Sequence, residues 1–320
     1  MSFLVLDSSA LDEKKWGSLL VNSPQSTFYH SLEWSLIWER SCDYAKSLFF
    51  IEEEGTSYRI GLPLVRIKKK GLVSYFSMPM GTYGGPVSSN LTESSLQDFI
   101  HKVLTKIRSF TLSKIEMVDF ENSHGSLSKA GFQRDIANTH LVDLKGIDVK
   151  QLLNKRGYQQ AVKKGLDVRK AEKPEDIRRC YQLYLATSRR HKNSPKYPQL
   201  FYENLFNLGS KAGWLQWWLA IEREKIAAYM ITFAFKKQVY FWDAASDSEI
   251  LNLRPNDLLM GHSLSWAQNY NYENFNLGST PAGSEGVVKF KEEWGGKLKS
   301  YPGYVKRTPL GRFIGLLRGR

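Results

Sequence analysis

One order of elements recurs along this chain, and it limits the fold more than any other feature. Thr27–Arg40 has apolar residues at 28, 32, 34, 36 and 38, with Ser31 as N-cap and Glu33 and Glu39 on the polar side. Ser47–Glu52 and Tyr58–Ile67 read as strands joined at Glu54-Gly55, and Val73–Met78 as a third. After a Gly-rich loop, Ser94 and Gln97 resemble a capping box for an amphipathic helix to about Phe110. Lys114–Val118 reads as a strand and Gly125–Ala130 as a helix. A similar order then returns. Pro174–His191 and Pro198–Gly209 are helical, and Trp214–Ile221, Ala227–Phe235 and Gln238–Ala244 are aromatic and β-branched strands. Pro255 opens a helix to about Asn269, and Tyr272–Leu277 is the last strand. The pattern predicts two α/β units, related in topology, rather than one continuous domain.

Charge separates the halves. Residues 1–150 hold 17 basic and 17 acidic residues, while 151–320 hold 28 and 15. Within the second half, 151–196 has 13 basic against 4 acidic residues, 197–284 has 6 against 8, and 285–320 has 9 against 3. Two basic segments flanking a mildly acidic middle suit a phosphate-bearing partner or, more blandly, a solvated basic face. The composition excludes a disordered chain and a disulfide-stapled miniprotein. Cys42 and Cys180 read as buried thiols. No stretch reads as a transmembrane helix or a secretory signal, so a cytoplasmic location is expected.

Four constellations carry chemistry. Gly81-Thr82-Tyr83-Gly84-Gly85-Pro86 follows a strand and reads as a ligand loop or as a tight turn. Thr187-Ser188-Arg189-Arg190-His191-Lys192 ends a helix, where guanidiniums suit phosphate and His191 is a proton shuttle or a plain surface residue. Tyr240-Phe241-Trp242-Asp243 sets an acid among aromatics, as a proton acceptor of raised pKa or as a turn-forming Asp. Leu277-Gly278-Ser279, followed by Lys289-Phe290-Lys291-Glu292-Glu293-Trp294, offers a lysine to an oxyanion or phosphate; a solvated lysine is the alternative. There is no metal-ligand spacing and no nucleophile triad.

Taken in order, Arg254-Pro255-x-x-Leu258-Leu259, Trp266-Ala267, Phe275-x-Leu277-Gly278-Ser279 and Phe290-Lys291-x-x-Trp294-Gly295 resemble the FemABX-like branch of the GNAT acyltransferase superfamily. Trp34, Gly61-Leu62-Pro63-Leu64, Ser77-Met78-Pro79, Tyr83-Gly84-Gly85-Pro86 and Thr187-x-x-Arg190 agree with it, so the likeness spans about Trp34 to Tyr304. The resemblance implies a mixed α/β (α+β) fold of two tandem GNAT-like domains, each a mostly antiparallel sheet flanked by helices. They are expected at 1–147 and 148–299, with 300–320 returning to the first. It implies transfer of an acyl or aminoacyl group to an amine, with acyl-CoA or aminoacyl-tRNA as co-substrate and no tightly bound cofactor. By resemblance Arg190 holds an acceptor phosphate, Phe290 and Lys291 lie by the donor ester, and Asp119 and Tyr240 line the cleft.

Two departures narrow the donor. The long helical hairpin of some bridge-forming relatives is missing, which counts against tRNA. The usual pyrophosphate loop is missing before Arg254, which counts against acetyl-CoA and leaves the helix start at Arg254 and Asn256 as the anion site. The favoured function is N-acyl or aminoacyl transfer onto a nucleotide- or lipid-linked cell-envelope precursor (peptidoglycan or surface polysaccharide). The alternatives are an acyl-CoA-dependent transferase of a sugar amine or small metabolite, and a non-catalytic RNA- or membrane-surface-binding module. The tail from Lys306 to Arg320 has five basic residues, no acids, and apolar Leu310, Phe313, Ile314, Leu316 and Leu317. It is either an interfacial segment at the inner face of the membrane or a helix docked on the first domain.

Overall fold

The computed structural model describes residues 1–121 and 125–317, and the chain forms two units, 1–137 with 300–320 and 138–299. The division falls at 137/138 and not at 147/148, because Thr139 to Asp143 pair with a strand of the second unit. Arg318 and Arg320, two of the tail's basic residues, lie outside the described residues.

In the first unit the sheet order is β1 (Ser2–Asp7), β2 (Ala45–Glu54), β3 (Ser57–Lys69), β4 (Leu72–Ser77), β6 (Leu112–Val118) and β13 (Lys297–Arg307). The short β5 (Val87–Ser88) adds to β3. All neighbours are antiparallel except β4 and β6, which run parallel. The strands alternate, so Phe49 faces Trp16 of α1 (Glu13–Asn22) while Phe50 joins the core under α3 (Glu93–Lys106). Leu96, Phe99, Ile100 and Val103 of α3 are all buried there, at helical spacing. Ser31 caps α2 (Leu32–Ser41), accepting from the Trp34 amide at 3.2 Å, as its spacing predicts. The cap of α3 is Thr92, bonded to Ser95, and not Ser94; the helix stops at Lys106. Gly125–Ser128 is a single 3-10 turn rather than a helix to Ala130.

β7 (Gln133–Asp143) carries the chain into the second unit. Its sheet order is β8 (Asp167–Lys170), β9 (Leu215–Glu222), β10 (Lys225–Phe235), β11 (Gln238–Ser246), β12 (Asn274–Ser279) and β7. Only β11 and β12 are parallel. The succession of strand directions therefore repeats that of the first unit. Helices α4 (Val149–Leu152), α5 (Arg156–Lys163) and α8 (Pro255–Asn269) cover one face, where Leu258, Leu259 and Leu264 meet Met230 and Phe275. Helices α6 (Pro174–Arg190) and α7 (Gln199–Ala212) contact β9, β10 and β11. Cys42 and Cys180 are buried, unpaired thiols.

Candidate functional site

The site starts from a pairing that stops short. β11 and β12 are registered only at Gln238↔Asn274, Val239↔Phe275 and Tyr240↔Asn276, yet β11 runs on to Ser246 and β12 to Ser279. Each strand also has an irregularity against its other neighbour, between Ile231 and Thr232 opposite β11 and between Asn276 and Ser279 in β12. Such irregularities bend a strand. Past Tyr240 the two strands part, and between them lies a cavity of about 320 Å³. That is enough for a small acyl chain or an aminoacyl group, at the lower end of ligand sites.

The walls divide by chemistry. Met230, Phe241, Met260, Leu277, Val287 and Phe290 make the apolar part, with Phe290 supplied by α9 (Glu285–Glu293). The polar part comes from two helix ends. α6 ends at Arg190 with His191 as its C-cap, and both line the cavity. Among the described residues the Arg190 guanidinium bonds the Ser246 carbonyl alone, at 3.5 Å, so its remaining N–H groups are open to an anion. α8 begins at Pro255 behind Arg254, which is in the left-handed conformation and provides no side-chain cap. The α8 start therefore has no cap from its N-cap residue; Asp257 in the first turn takes its own amide, and the helix start still favours negative charge. Asn256, also in the wall, buries Oδ1 without a partner, and Thr187 does the same with Oγ1. Both atoms line the cavity, where a ligand polar group can pair them.

Lys291 lines the same cavity and is 6 % exposed. Its ammonium donates to the Gly278 carbonyl at 2.6 Å, the Ser279 carbonyl at 2.7 Å and Thr280 Oγ1 at 3.0 Å. Three N–H groups meet three acceptors, so the cation is spent on the end of β12. Burial pushes its pKa down to about 8. Thr280 Oγ1 lies 3.0 Å from Nδ1 of buried His140, whose pKa is lowered by burial and by the Lys291 charge. Gly278 has φ +77°, and a Cβ there would lie 2.9 Å from the Phe241 ring, so only glycine fits this turn. Thr139 Oγ1 is 2.6 Å from the Gly278 carbonyl and 2.8 Å from Asn276 Oδ1, completing a bonded knot at the strand end.

Of the candidate residues, Arg190, His191, Asn256, Phe290 and Lys291 line this one cavity. The structure does not bring the other candidates to this cavity. Asp243 lies in the aromatic cluster with α6 and α7, accepting from Tyr202 Oη at 2.7 Å and from Tyr229 Oη. Burial raises its pKa, and the two phenols hold the carboxylate in place. Tyr240 is buried on the paired part of β11, and Arg254 is exposed beside the cavity rather than in its wall. Tyr83, Gly84, Gly85 and Asp119 belong to the first unit. There Tyr83 is a core ring, 4.3 Å from Phe120 and 5.3 Å from Tyr301. The Gly84 amide donates to Val118 at 2.8 Å, and a Cβ on Gly84 would fall 2.2 Å from the Ser77 carbonyl. The Gly85 amide donates to Ser77 Oγ at 2.9 Å, and its carbonyl lies 3.1 Å from His30 Nε2. Both loop amides are used within the unit, which is the tight-turn reading of this loop. The buried Asp119 donates its amide to the Pro302 carbonyl at 3.0 Å.

Sequence reading places Thr187 in the Thr187-x-x-Arg190 motif without giving it a role, and it misses His140. Thr187 stands three residues before Arg190 on α6, hence on the same helical face, and that spacing is the signal that finds it. Nothing in the sequence marks His140.

Comparison with known proteins bears on the fold. Residues 151–291 match the acetyltransferase (GNAT) domain family. The crystal structure of FemX superposes with a TM-score of 0.75 at 12% identity, covering 100% of both chains. A tandem GNAT protein from the clavulanic acid biosynthesis pathway gives 0.64 at 10% identity, covering 96% of this chain and 98% of that one. L-PGS from Bacillus licheniformis gives 0.60 at 13% identity, covering 96% of each. At these identities the likeness is one of fold: a tandem pair of GNAT-like units. No curated protein matches the sequence.

Proposed function

From a chain that carries a GNAT-type acetyltransferase domain on residues 151–291, we propose an N-acyl or aminoacyl transferase acting on an amine of a cell-envelope precursor. The observation that carries the reading is the cavity between the parted strands, closed by apolar side chains on one side and by the Arg190 guanidinium and the start of α8 on the other. An activated acyl ester or thioester puts its acyl group against Phe241, Met260 and Phe290. Its phosphates meet Arg190 and the first amides of α8.

The amine attacks the acyl carbon. A C–N bond forms, the C–O or C–S bond breaks, and the ammonium proton leaves. Holding both reactants in line supplies about 7–11 kcal/mol of the barrier lowering. Lys291 fixes the end of β12 through three acceptors, and so acts first as a positioning residue for this wall. Its three donors are taken by that strand end, so the ammonium proton of the adduct passes to solvent or to the departing group.

A second reading, an acyl-CoA-dependent transferase of a sugar amine or small metabolite, draws on the GNAT match and on the small apolar cavity. One assay separates them. Purified protein receives labelled acetyl-CoA or labelled aminoacyl-tRNA, each with a UDP-linked muropeptide or glucosamine as acceptor. Label on the muropeptide amine supports the first reading, and label on glucosamine from acetyl-CoA alone supports the second. No transfer, together with no thermal shift from any donor, overturns both.

A further inference from the structure

We propose that the first unit carries a docking surface for an anionic lipid bilayer, built on the helix α10 (Pro309–Leu317). This inference does not depend on the reading of the cavity. The helix is fixed on one side. The Thr308 amide donates to the Ser113 carbonyl at 3.0 Å, and Thr308 Oγ1 in turn accepts from the Gly311 amide at 3.2 Å. A Cβ on Gly311 would come 2.0 Å from the Ser113 carbonyl, so the helix backbone lies directly on β6. The opposite side holds Phe313, 60 % exposed, and Leu316, 79 % exposed. A third apolar residue joins them at this end of the sheet. Phe110, two residues before β6, has its ring wholly in water, at 104 %.

Basic grooves flank the helix on both sides. One, of about 800 Å³, is lined by Lys69, Lys70, Lys114 and Ile314. The other, of about 380 Å³, is lined by His101, Arg108, Lys306, Arg307 and Pro309. Lys114 is paired with Glu116 at 2.6 Å, and Lys306 bonds the Ala130 carbonyl. Lys69, Lys70, Arg108, Arg307 and Arg312 have no acidic partner among the described residues. The sequence has no acid from Trp294 to its end, and the last residues add Arg318 and Arg320 to the charge.

Lys69 rests over the Tyr44 ring, 3.7 Å from its centroid, and keeps its charge. Exposed apolar side chains and basic residues without acidic partners are the two signals that together hold a protein at an anionic bilayer. Charge selects the occupant. Phosphate headgroups fit the two grooves while Phe110, Phe313 and Leu316 enter the acyl boundary. A nucleic acid would use the cations and stack on the aromatics, but it gives aliphatic Leu316 and Ile314 nothing. Each basic residue near an anionic leaflet raises partitioning about fivefold, and salt screens that term.

The test is co-sedimentation of the full chain with vesicles of phosphatidylcholine alone or mixed with phosphatidylglycerol, at low and high salt. The wild type should partition onto the mixed vesicles and far less onto phosphatidylcholine, and high salt should release it. Phe110→Ser/Phe313→Ser/Leu316→Ser and Lys69→Glu/Lys70→Glu/Arg312→Glu should each weaken partitioning by about tenfold or more at unchanged melting temperature. In the unmodified chain, hydrogen exchange over 308–317 should slow when phosphatidylglycerol vesicles are added. Equal partitioning onto both vesicles, no partitioning, no change in exchange, or capture by bulk tRNA in place of vesicles would each overturn the proposal.

Discussion

The two units repeat one succession of strands and use its parallel pair in opposite ways. In the first, β4 and β6 stay registered from Val73↔Leu112 to Ser77↔Met117, and the chain then folds its own loop over the end of β6. Gly84 bonds Val118, and Tyr83, Phe120 and Tyr301 fill the space with rings. In the second, β11 and β12 release each other after Tyr240 and leave the cavity. The same topology thus makes a filled wedge and an open one. What decides is whether side chains of the unit itself satisfy the gap. In the second unit they do not, and Thr187 and Asn256 at the gap keep buried oxygens without partners among the described residues.

The contrast breaks most plainly at Tyr83. If its wedge is core, Tyr83→Ala costs about 3–5 kcal/mol in urea unfolding, as for other large-to-small changes at buried rings. KM of the folded fraction should stay within about twofold by the same argument. A raised KM at unchanged stability would show instead that Tyr83 touches a ligand. The counterpart in the second unit is Lys291. Lys291→Met strips the donor from two carbonyls and a hydroxyl at the end of β12, costing about 3 kcal/mol and lowering turnover by about 100-fold or more. The pH dependence of this difference has a fixed sign. The folded pKa, about 8, is below the ordinary lysine value, so the unfolded chain binds more protons between the two. The wild type therefore gains stability relative to the variant as pH rises above 8, by at most about 1.4 kcal/mol per pH unit. A flat difference across that window would mean that Lys291 keeps an ordinary pKa.

The units also differ in how much the sequence discloses. Ser31, Pro255 and the alternating runs of β2, β3, β9 and β10 are local signals, and the corresponding elements form where they predict. β7 and β13 are not legible. The first half of β7 is exposed and polar, and β13 contains Pro302 and Gly303, so neither shows a clean alternation. Without those two strands the division is placed too late. Within the site, Arg190, Phe290 and Lys291 are legible as residue types, since charge and aromatics in order point to them. The partners of Lys291 are not, because two of them are backbone carbonyls and look alike in any sequence. Asp243 misleads for a related reason. An acid among aromatics suggests acid–base chemistry, but two tyrosines distant in sequence, Tyr202 and Tyr229, take up its oxygen.

Smaller effects sharpen the open wedge. Ala245→Phe should fill it as rings fill the first unit's wedge. Acyl-donor binding should then fall by about tenfold or more while the melting temperature stays within a few degrees. Binding that survives would place the donor outside the cavity. Arg190→Ala should weaken a phosphate-bearing ligand by about tenfold and flatten the salt dependence of its Kd, with little change in unfolding, because its bond to Ser246 is long.

Thr187→Val is the smallest change and the most discriminating. In the free protein Thr187 Oγ1 is buried without a partner, so replacing it by a methyl group removes a desolvation cost and leaves stability equal or slightly higher. If the hydroxyl is kept for a ligand polar group, Kd for the donor rises by about three- to tenfold at the same time. Stability and affinity then move in opposite directions from one substitution. A core threonine in the filled wedge of the first unit has no means of producing that pattern, because any partner it has is already present without ligand. If stability falls and affinity is unchanged, Thr187 is packing, and the orphaned oxygens no longer distinguish the open wedge from the filled one.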